Sequence, residues 1–368
     1  MIDDKFISDV PQSILNYLET LKKDYHYSYF PTKIGLTRIG ENLNLGFSCY
    51  ALKIYFMTGE WAKLESNYKQ NWIDYINSFQ KADTKFPENY YIDDQLINGY
   101  KNLGFKENSK YIIKATLNLI PTFSYDTKQN LIFKSLNAET KQAISTLYEV
   151  NSRNLKSIKF PFVNEMEINQ YLNFLDWSKP WTSGAQFASL CVYNTTQNLS
   201  NKNTLINFID QLADPETGSY FKKLPSKPRE IINGAMKVIS GLDWIDTEIH
   251  YPKKLIDFCL NNQPISEGCD LVDYVYVLYK TSKQTSYRKS EVVGVLKDIL
   301  NEIIKLYVES EGGFQYFPNK SQTHYYGLKI SNGENTADIH GTLLSLWAIL
   351  MILDTLDIKN DNNYIIKP

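Results

Sequence analysis

The sequence is poor in the groups that usually betray a mechanism. It holds 4 histidines and 4 cysteines in 368 residues. The cysteines, Cys49, Cys191, Cys259 and Cys269, stand far apart with no CxxC pair. That spacing argues against a disulfide framework and suits a reducing cytoplasm. Positive charge is not in excess either: 39 Lys and Arg against 41 Asp and Glu leave a formal net charge of −2. Such a balance offers no footprint for nucleic acid or an anionic membrane. No apolar run reaches bilayer length, and the longest, Leu343 to Leu353 (LLSLWAILMIL), reads as a buried helix. The first residues, MIDDKFISDV, open acidic and lack the basic start and apolar core of a secretory signal, so a cytoplasmic location is expected. A phosphate loop, a GxSxG elbow, an HExxH helix and a dinucleotide fingerprint are all missing, which sets aside nucleotide-dependent and metalloprotease chemistry.

What is present is a recurring helical unit. At intervals of roughly 45–65 residues an amphipathic stretch passes through a Gly- or Pro-containing loop into a more uniformly apolar helix. A helix with one apolar stripe belongs on an outer layer, and one apolar on most sides is enclosed. Six such units are read along the chain. The first joins Ile14 (ILNYLETLKK) to Leu45–Met57, the second Trp72–Gln80 to Tyr111–Leu119, and the third Thr140–Val150 to Ala185–Tyr193. The fourth joins Leu205–Leu212 to Ile231–Ile239, the fifth Lys254–Leu260 to Leu271–Tyr279, and the sixth Ile299–Val308 to His340–Leu353. The stretches beginning at Trp72, Phe208 and Tyr307 each end a helix; the last two turn through ETGSYF and EGGF, where Gly supplies a helix stop and the aromatic can plug a gap between hairpins.

In this order of helix, Gly/Phe loop and helix, the chain resembles the α/α-toroid superfamily of protein prenyltransferase β-subunits and terpenoid cyclases. The resemblance implies an all-α, (α/α)6 toroid of six hairpins with inner and outer layers, closed rather than an open solenoid, as one domain over residues 1–368. Related rings host six-hairpin glycosidases, lyases and lanthionine cyclases, so the fold leaves the activity open.

Inner helices that run parallel gather their N-termini, and the positive ends of their dipoles, at one mouth. The residues at those first turns are polar: Glu41 and Asn42, Asp93 and Asp94, Trp181 and Gln186, Asn233 and Lys237, Asp270 and Asp273, Asp338 and His340. Asp at such a place is also an ordinary N-cap. His340 is expected as acid, base or ligand, with Asp270, Asp273 and Asp338 as carboxylate partners. Trp181, Gln186, Asn233, Lys237, Tyr325, Tyr326 and Glu334 are expected to position a substrate. The resemblance further implies a Zn²⁺ site, with Cys269 and either Glu267 or Asp270 at the entry of the fifth inner helix and His340 at the entry of the sixth, although Glu267 stands where the family carries Asp. The diphosphate motifs of terpene enzymes are incomplete, since Asp93-Asp94-Gln-Leu-Ile97 lacks the last acid of DDxxD and Tyr91-Ile-Asp-Asp94 retains half of DxDD.

The leading expectation is therefore a toroid enzyme of the prenyltransferase/terpenoid-cyclase kind, doing acid/base or metal-assisted chemistry on a small molecule or a prenyl-like lipid. A carbohydrate-active ring is the alternative: Asp270, Asp273, Asp338 and Glu334 supply carboxyl groups, and Trp177, Trp181, Tyr325 and Tyr326 supply faces for a saccharide. In that reading His324-Tyr-Tyr-Gly327 forms a rim or lid. A ring that binds or scaffolds without catalysis is the third.

Overall fold

A computed structural model describes residues 4–24, 27–82, 85–117, 127–160, 162, 164–358 and 365–368. The first hairpin comprises α1 (Asp4–Leu21), the short α2 (Arg38–Asn42) and α3 (Leu45–Met57). The second runs through α4 (Glu60–Lys63), α5 (Ser66–Asn77), α6 (Asp94–Lys101) and α7 (Phe105–Leu117) to α8 (Lys128–Glu149). Then α9 (Glu165–Phe174) leads to α10 (Pro180–Thr196), α11 (Lys202–Asp210) to α12 (Pro228–Trp244), α13 (Pro252–Asn261) to α14 (Gly268–Gln284), and α15 (Lys289–Ile304) to α16 (Ile339–Thr355). Pro at the first position of α10, α12 and α13 fits the missing N–H to a place where the helix has no use for it. Three two-stranded antiparallel ribbons decorate the loops: β1 (Gln80–Lys81) with β2 (Tyr90–Tyr91), β3 (Tyr307–Val308) with β4 (Gly313–Phe314), and β5 (His324–Tyr325) with β6 (Leu328–Lys329).

The ring closes. Helix α3 packs on α8, α8 on α10, α10 on α12, α12 on α14, α14 on α16, and α16 returns to α3. The protein is thus an all-α toroid with an inner layer of those six helices and an outer layer that includes α1, α5, α11, α13 and α15. An outer helix such as α13 buries one stripe, Leu255, Ile256 and Cys259, while α3 and α16 are enclosed over nearly their whole length.

One hairpin differs from the sequence reading. The stretch Thr140–Val150, expected as the outer helix of unit three, belongs almost entirely to α8, the inner helix of unit two. Tyr111–Leu119, expected as that inner helix, falls largely on the peripheral α7, where Ile112 and Ile113 are exposed; Asn118 and Leu119 lie outside the described residues. The physical reason is that α8 turns polar side chains inward: Asn137, Glu139, Thr140 and Ser145 are all buried. Its pattern therefore imitates a solvent-facing amphipathic helix.

Hydrogen bonds tie the starts of the inner helices into one rim. The Trp181 N–H donates to Glu230, Arg229 donates to Asp270, and the Gly268 N–H donates to the Tyr316 carbonyl. The Tyr316 N–H in turn reaches Asp338 at 2.8 Å. At the opposite end the C-terminal residues lie across the ring: the Trp244 indole donates to the Pro368 carbonyl at 2.8 Å, and the Lys367 N–H donates to Glu149 at 2.6 Å.

Candidate functional site

The strongest constellation lies between α12 and α14. Arg229, Asn233 and Lys237 recur every four residues and so share one face of α12, while Asp270 and Asp273 share one face of α14. The Asp270 Oδ1 accepts from Arg229 Nε and from Asn233 Nδ2, each at 2.8 Å. Lys237 Nζ stands 3.6 Å from Asp273 Oδ1. Both carboxylates are nearly inaccessible, and the second oxygen of each has no partner among the described residues. Burial pushes the Asp273 carboxyl up to about 6; Lys237 pulls it down and Asp270 pushes it further up. A carboxyl near neutrality can give or take a proton under ordinary conditions.

His340, in the first turn of α16, is sandwiched between two phenol rings. Its ring stacks on Tyr50 at 4.8 Å and 13° and lies 5.2 Å from Tyr316. Burial, reinforced by the nearby Lys237 ammonium, lowers its pKa to about 3, so the imidazole is neutral. Its Nδ1 is buried without a partner. Further unpartnered buried atoms occur on the same inner helices, at Glu139 Oε2, Gln142 Nε2 and Trp347 Nε1. A buried polar atom left unpaired costs about 1–3 kcal/mol, so an inner wall carrying several is a wall made to meet polar groups. Solvent still reaches this wall: Lys141, Gln142, Cys269 and His340 are half-buried, and Lys237 keeps 24% of its side chain exposed.

Several expected residues have other work. Asp338 caps α16: Oδ1 accepts from the Gly341 N–H at 2.7 Å, and Oδ2 from the Tyr316 and Gln322 N–H groups at 2.8 and 3.0 Å. Burial nevertheless pushes it up to about 7, against the pull of those N–H groups. It is bonded around its whole carboxylate and staples the loop before α16. Asp93 plays the same part for α3, accepting from the Asn44 and Leu45 N–H groups. Gln186 Oε1 is taken by Asn137 and Tyr171 at 2.8 and 2.9 Å. Glu334, Glu41, Asn42 and Asp94 are exposed, and Asp94 pairs with Lys81. Trp177 is sealed in the core, with its indole donating to the Leu172 carbonyl. His324 is exposed on β5.

Trp181 is half-buried, with the Arg229 guanidinium 5.4 Å over its ring, so it extends the seam to the rim. The β5–β6 ribbon turns through Tyr326 and Gly327, both at positive φ, as a two-residue hairpin requires. It thereby inserts Tyr325, whose ring packs on Phe47 and whose hydroxyl donates to Glu139 at 3.2 Å. Tyr326 is half-buried beside it, 4.4 Å from the Tyr325 ring.

The zinc set is not assembled. Among the described residues no three His, Cys, Asp or Glu side chains converge as a metal site would need. The Cys269 thiol accepts from the Tyr316 hydroxyl at 2.6 Å, and burial together with Asp273 pushes it up to about 12. Glu267 turns instead to Arg229 at 3.4 Å. Thiolate, imidazole and carboxylate therefore do not share one point, and the donors do not fit the ion.

Arg229, Glu139 and Lys141 were not expected. Arg229 was legible as the first member of the four-residue repeat with Asn233 and Lys237; Glu139 and Lys141 were hidden by the misplacement of α8 in the outer layer. Among the described residues no helix is long and apolar enough to cross a membrane.

No family model matches the chain, and no curated protein matches it. Among solved structures it is similar to a polysaccharide lyase, with 13% identity over 97% of this chain and 99% of that chain and a TM-score of 0.49. It is also similar to a glycosyl hydrolase family 88 protein from Bacteroides vulgatus, with 12% identity over 94% of this chain and 99% of that chain and a TM-score of 0.44.

Proposed function

We propose that the protein is an acid–base enzyme acting on a saccharide held at the rim and inner wall of the ring. The observation that carries this reading is the chemistry of the wall: Lys53, Lys141, Lys237, Asp273, Glu139 and Gln142 all sit on inner helices. A prenyl chain laid along it would strip water from the half-buried Lys141, Gln142 and Lys237 and give nothing back, at roughly 1–3 kcal/mol for each orphaned polar atom. Hydroxyl groups both donate and accept, and match such a surface. Prenyl transfer and terpene cyclisation are correspondingly the weaker readings, and the scattered zinc donors weaken the first of them further.

In this mechanism Asp273 is the proton-transfer group at the scissile linkage. Its buried carboxyl is poised near neutrality, where giving and taking a proton are balanced. The neutral His340, with Nδ1 unbonded, offers the substrate a hydrogen-bond acceptor beside it. Asp270, fixed by Arg229 and Asn233, orients the substrate, and the Trp181–Arg229 pair forms its outer platform.

The test is a panel of neutral and acidic oligosaccharides, followed by reducing-end release and by ultraviolet absorbance. Hydrolysis yields new reducing ends alone; elimination adds an unsaturated, absorbing product. Turnover of at least one saccharide is expected. Turnover of a prenyl diphosphate in its place, or a panel neither bound nor cleaved, would overturn the proposal.

A further inference from the structure

Three lysines from three inner helices converge inside the ring: Lys53 of α3, Lys141 of α8 and Lys237 of α12. Two of them are committed. Lys53 is 2% exposed and donates to Ser145 Oγ at 3.0 Å, and Lys237 faces Asp273. Lys141 lies one turn before Ser145 on the same face of α8, which aims it at the same space. Among the described residues it makes no hydrogen bond or ion pair, yet it is half-buried rather than sealed. The charged and titratable groups near enough to act on it electrostatically are Lys53 from α3, Lys237 from α12, Asp273 from α14 and the Cys191 thiol from α10. Burial keeps that thiol protonated.

Crowding an ammonium against two others in a poorly hydrated place favours loss of its proton. Burial first, then Lys237 and Lys53, bring Lys141 down to about 7. A lysine desolvated beside other cations, with a free lone pair and no competing hydrogen bond, is the arrangement that makes an amine nucleophilic.

We propose that Lys141 condenses with a small carbonyl compound bearing an anionic group, which Lys237 attracts. The Nζ lone pair forms a C–N bond to the carbonyl carbon, and the C=O π electrons pass to oxygen, which collects the proton shed by nitrogen. The resulting carbinolamine loses its hydroxyl and the remaining N–H proton as water, leaving the imine. No oxidant or reductant is consumed. Lys141 belongs to the same polar wall, but it takes no part in the proton transfer assigned to Asp273, and the labelling below is read without any saccharide turnover.

The experiment treats the intact protein with glyoxylate and cyanoborohydride, which reduces the imine to a stable carboxymethyl-lysine, and maps the product by peptide mass spectrometry over a pH series. Near neutrality Lys141 should react about tenfold or more faster than the median surface lysine, because its unprotonated fraction is about 10³-fold larger even though a weaker base is a poorer nucleophile. Its rate should level off above roughly pH 8, while surface lysines keep accelerating towards their ordinary pKa. Labelling at Lys141 that is no faster than elsewhere, that follows the surface pH profile, or that does not occur at all would overturn the proposal.

Discussion

Helix α12 packs against its two inner neighbours in opposite ways. Towards α10 it is built from absences: a Cβ on Gly234 would lie 2.6 Å from Cβ of Pro180, and one on Gly241 would lie 3.1 Å from Cα of Ala188. On the facing helix a Cβ on Gly184 would lie 3.2 Å from the Gly234 carbonyl. The backbones approach because nothing stands between them. Towards α14 the same helix presents Arg229, Asn233 and Lys237 to Asp270 and Asp273, and each carboxylate keeps an oxygen unbonded. The first seam gains its stability from contact. The second holds desolvated charges in place, which buried contact alone would do more cheaply. A seam that spends stability in this way is expected to yield function instead.

The sharpest way to break that comparison is to alter one residue on each side. Asp273→Asn keeps the shape but removes the proton, and saccharide turnover should fall about 10²–10⁴-fold while the protein stays folded. A parallel loss of folded protein in circular dichroism would make the polar seam structural and remove the contrast. Gly234→Ala should do the reverse, destabilising the fold by about 1–3 kcal/mol in urea unfolding because Pro180 has to move. Gly294→Ala on α15 is its control. No atom lies within 4 Å of a Cβ there, and relief of glycine's backbone freedom should stabilise by about 0.5–1 kcal/mol. If the two glycine substitutions behave alike, close approach between α10 and α12 is not what holds them.

The ring was legible in the sequence because its innermost helices announce themselves. Leu45–Met57 and Leu343–Leu353 are apolar on every side, which only enclosure explains. The polar seam was half legible: Asn233 and Lys237 of α12 do meet Asp270 and Asp273 of α14, although only Asp270 sits in a first turn. Two kinds of residue defeated the same reasoning. Asp338 and Asp93 share the position of a site carboxylate but spend their oxygens on backbone N–H groups, a distinction that only bond partners reveal. Glu139 and Lys141 lie on α8, whose polar residues face inward, so hydrophobic periodicity assigned it to the wrong layer. Cys269 and His340 had the right types and order for zinc, but ligand sets depend on convergence, and the Tyr316 hydroxyl intervenes at the thiol.

The two seams should also differ in how their stability depends on pH. Only the polar one holds a carboxyl group with a displaced pKa; the Cys191 thiol beside Gly241 is pushed up by burial and stays protonated throughout the acid range. Asp273 is raised from an ordinary carboxyl value to about 6. The folded protein therefore retains that proton from about pH 4 to about pH 6, where the unfolded chain has released it. With more protons on the folded side, the contribution is greatest below about pH 4, declines as pH rises through the window, and is constant above about pH 6. His340, lowered to about 3, acts in the opposite sense: its unfolded form binds a proton that the fold refuses, so its term rises with pH up to about 6.5. The two partly cancel in the wild type, which is why the measurement has to be a difference. The stability of wild type minus that of Asp273→Asn should fall by at most about 1.4 kcal/mol per pH unit between pH 4 and 6. The corresponding difference for Gly234→Ala should be flat. A slope in the glycine variant, or none in Asp273→Asn, would mean that charge is not confined to the α12–α14 seam.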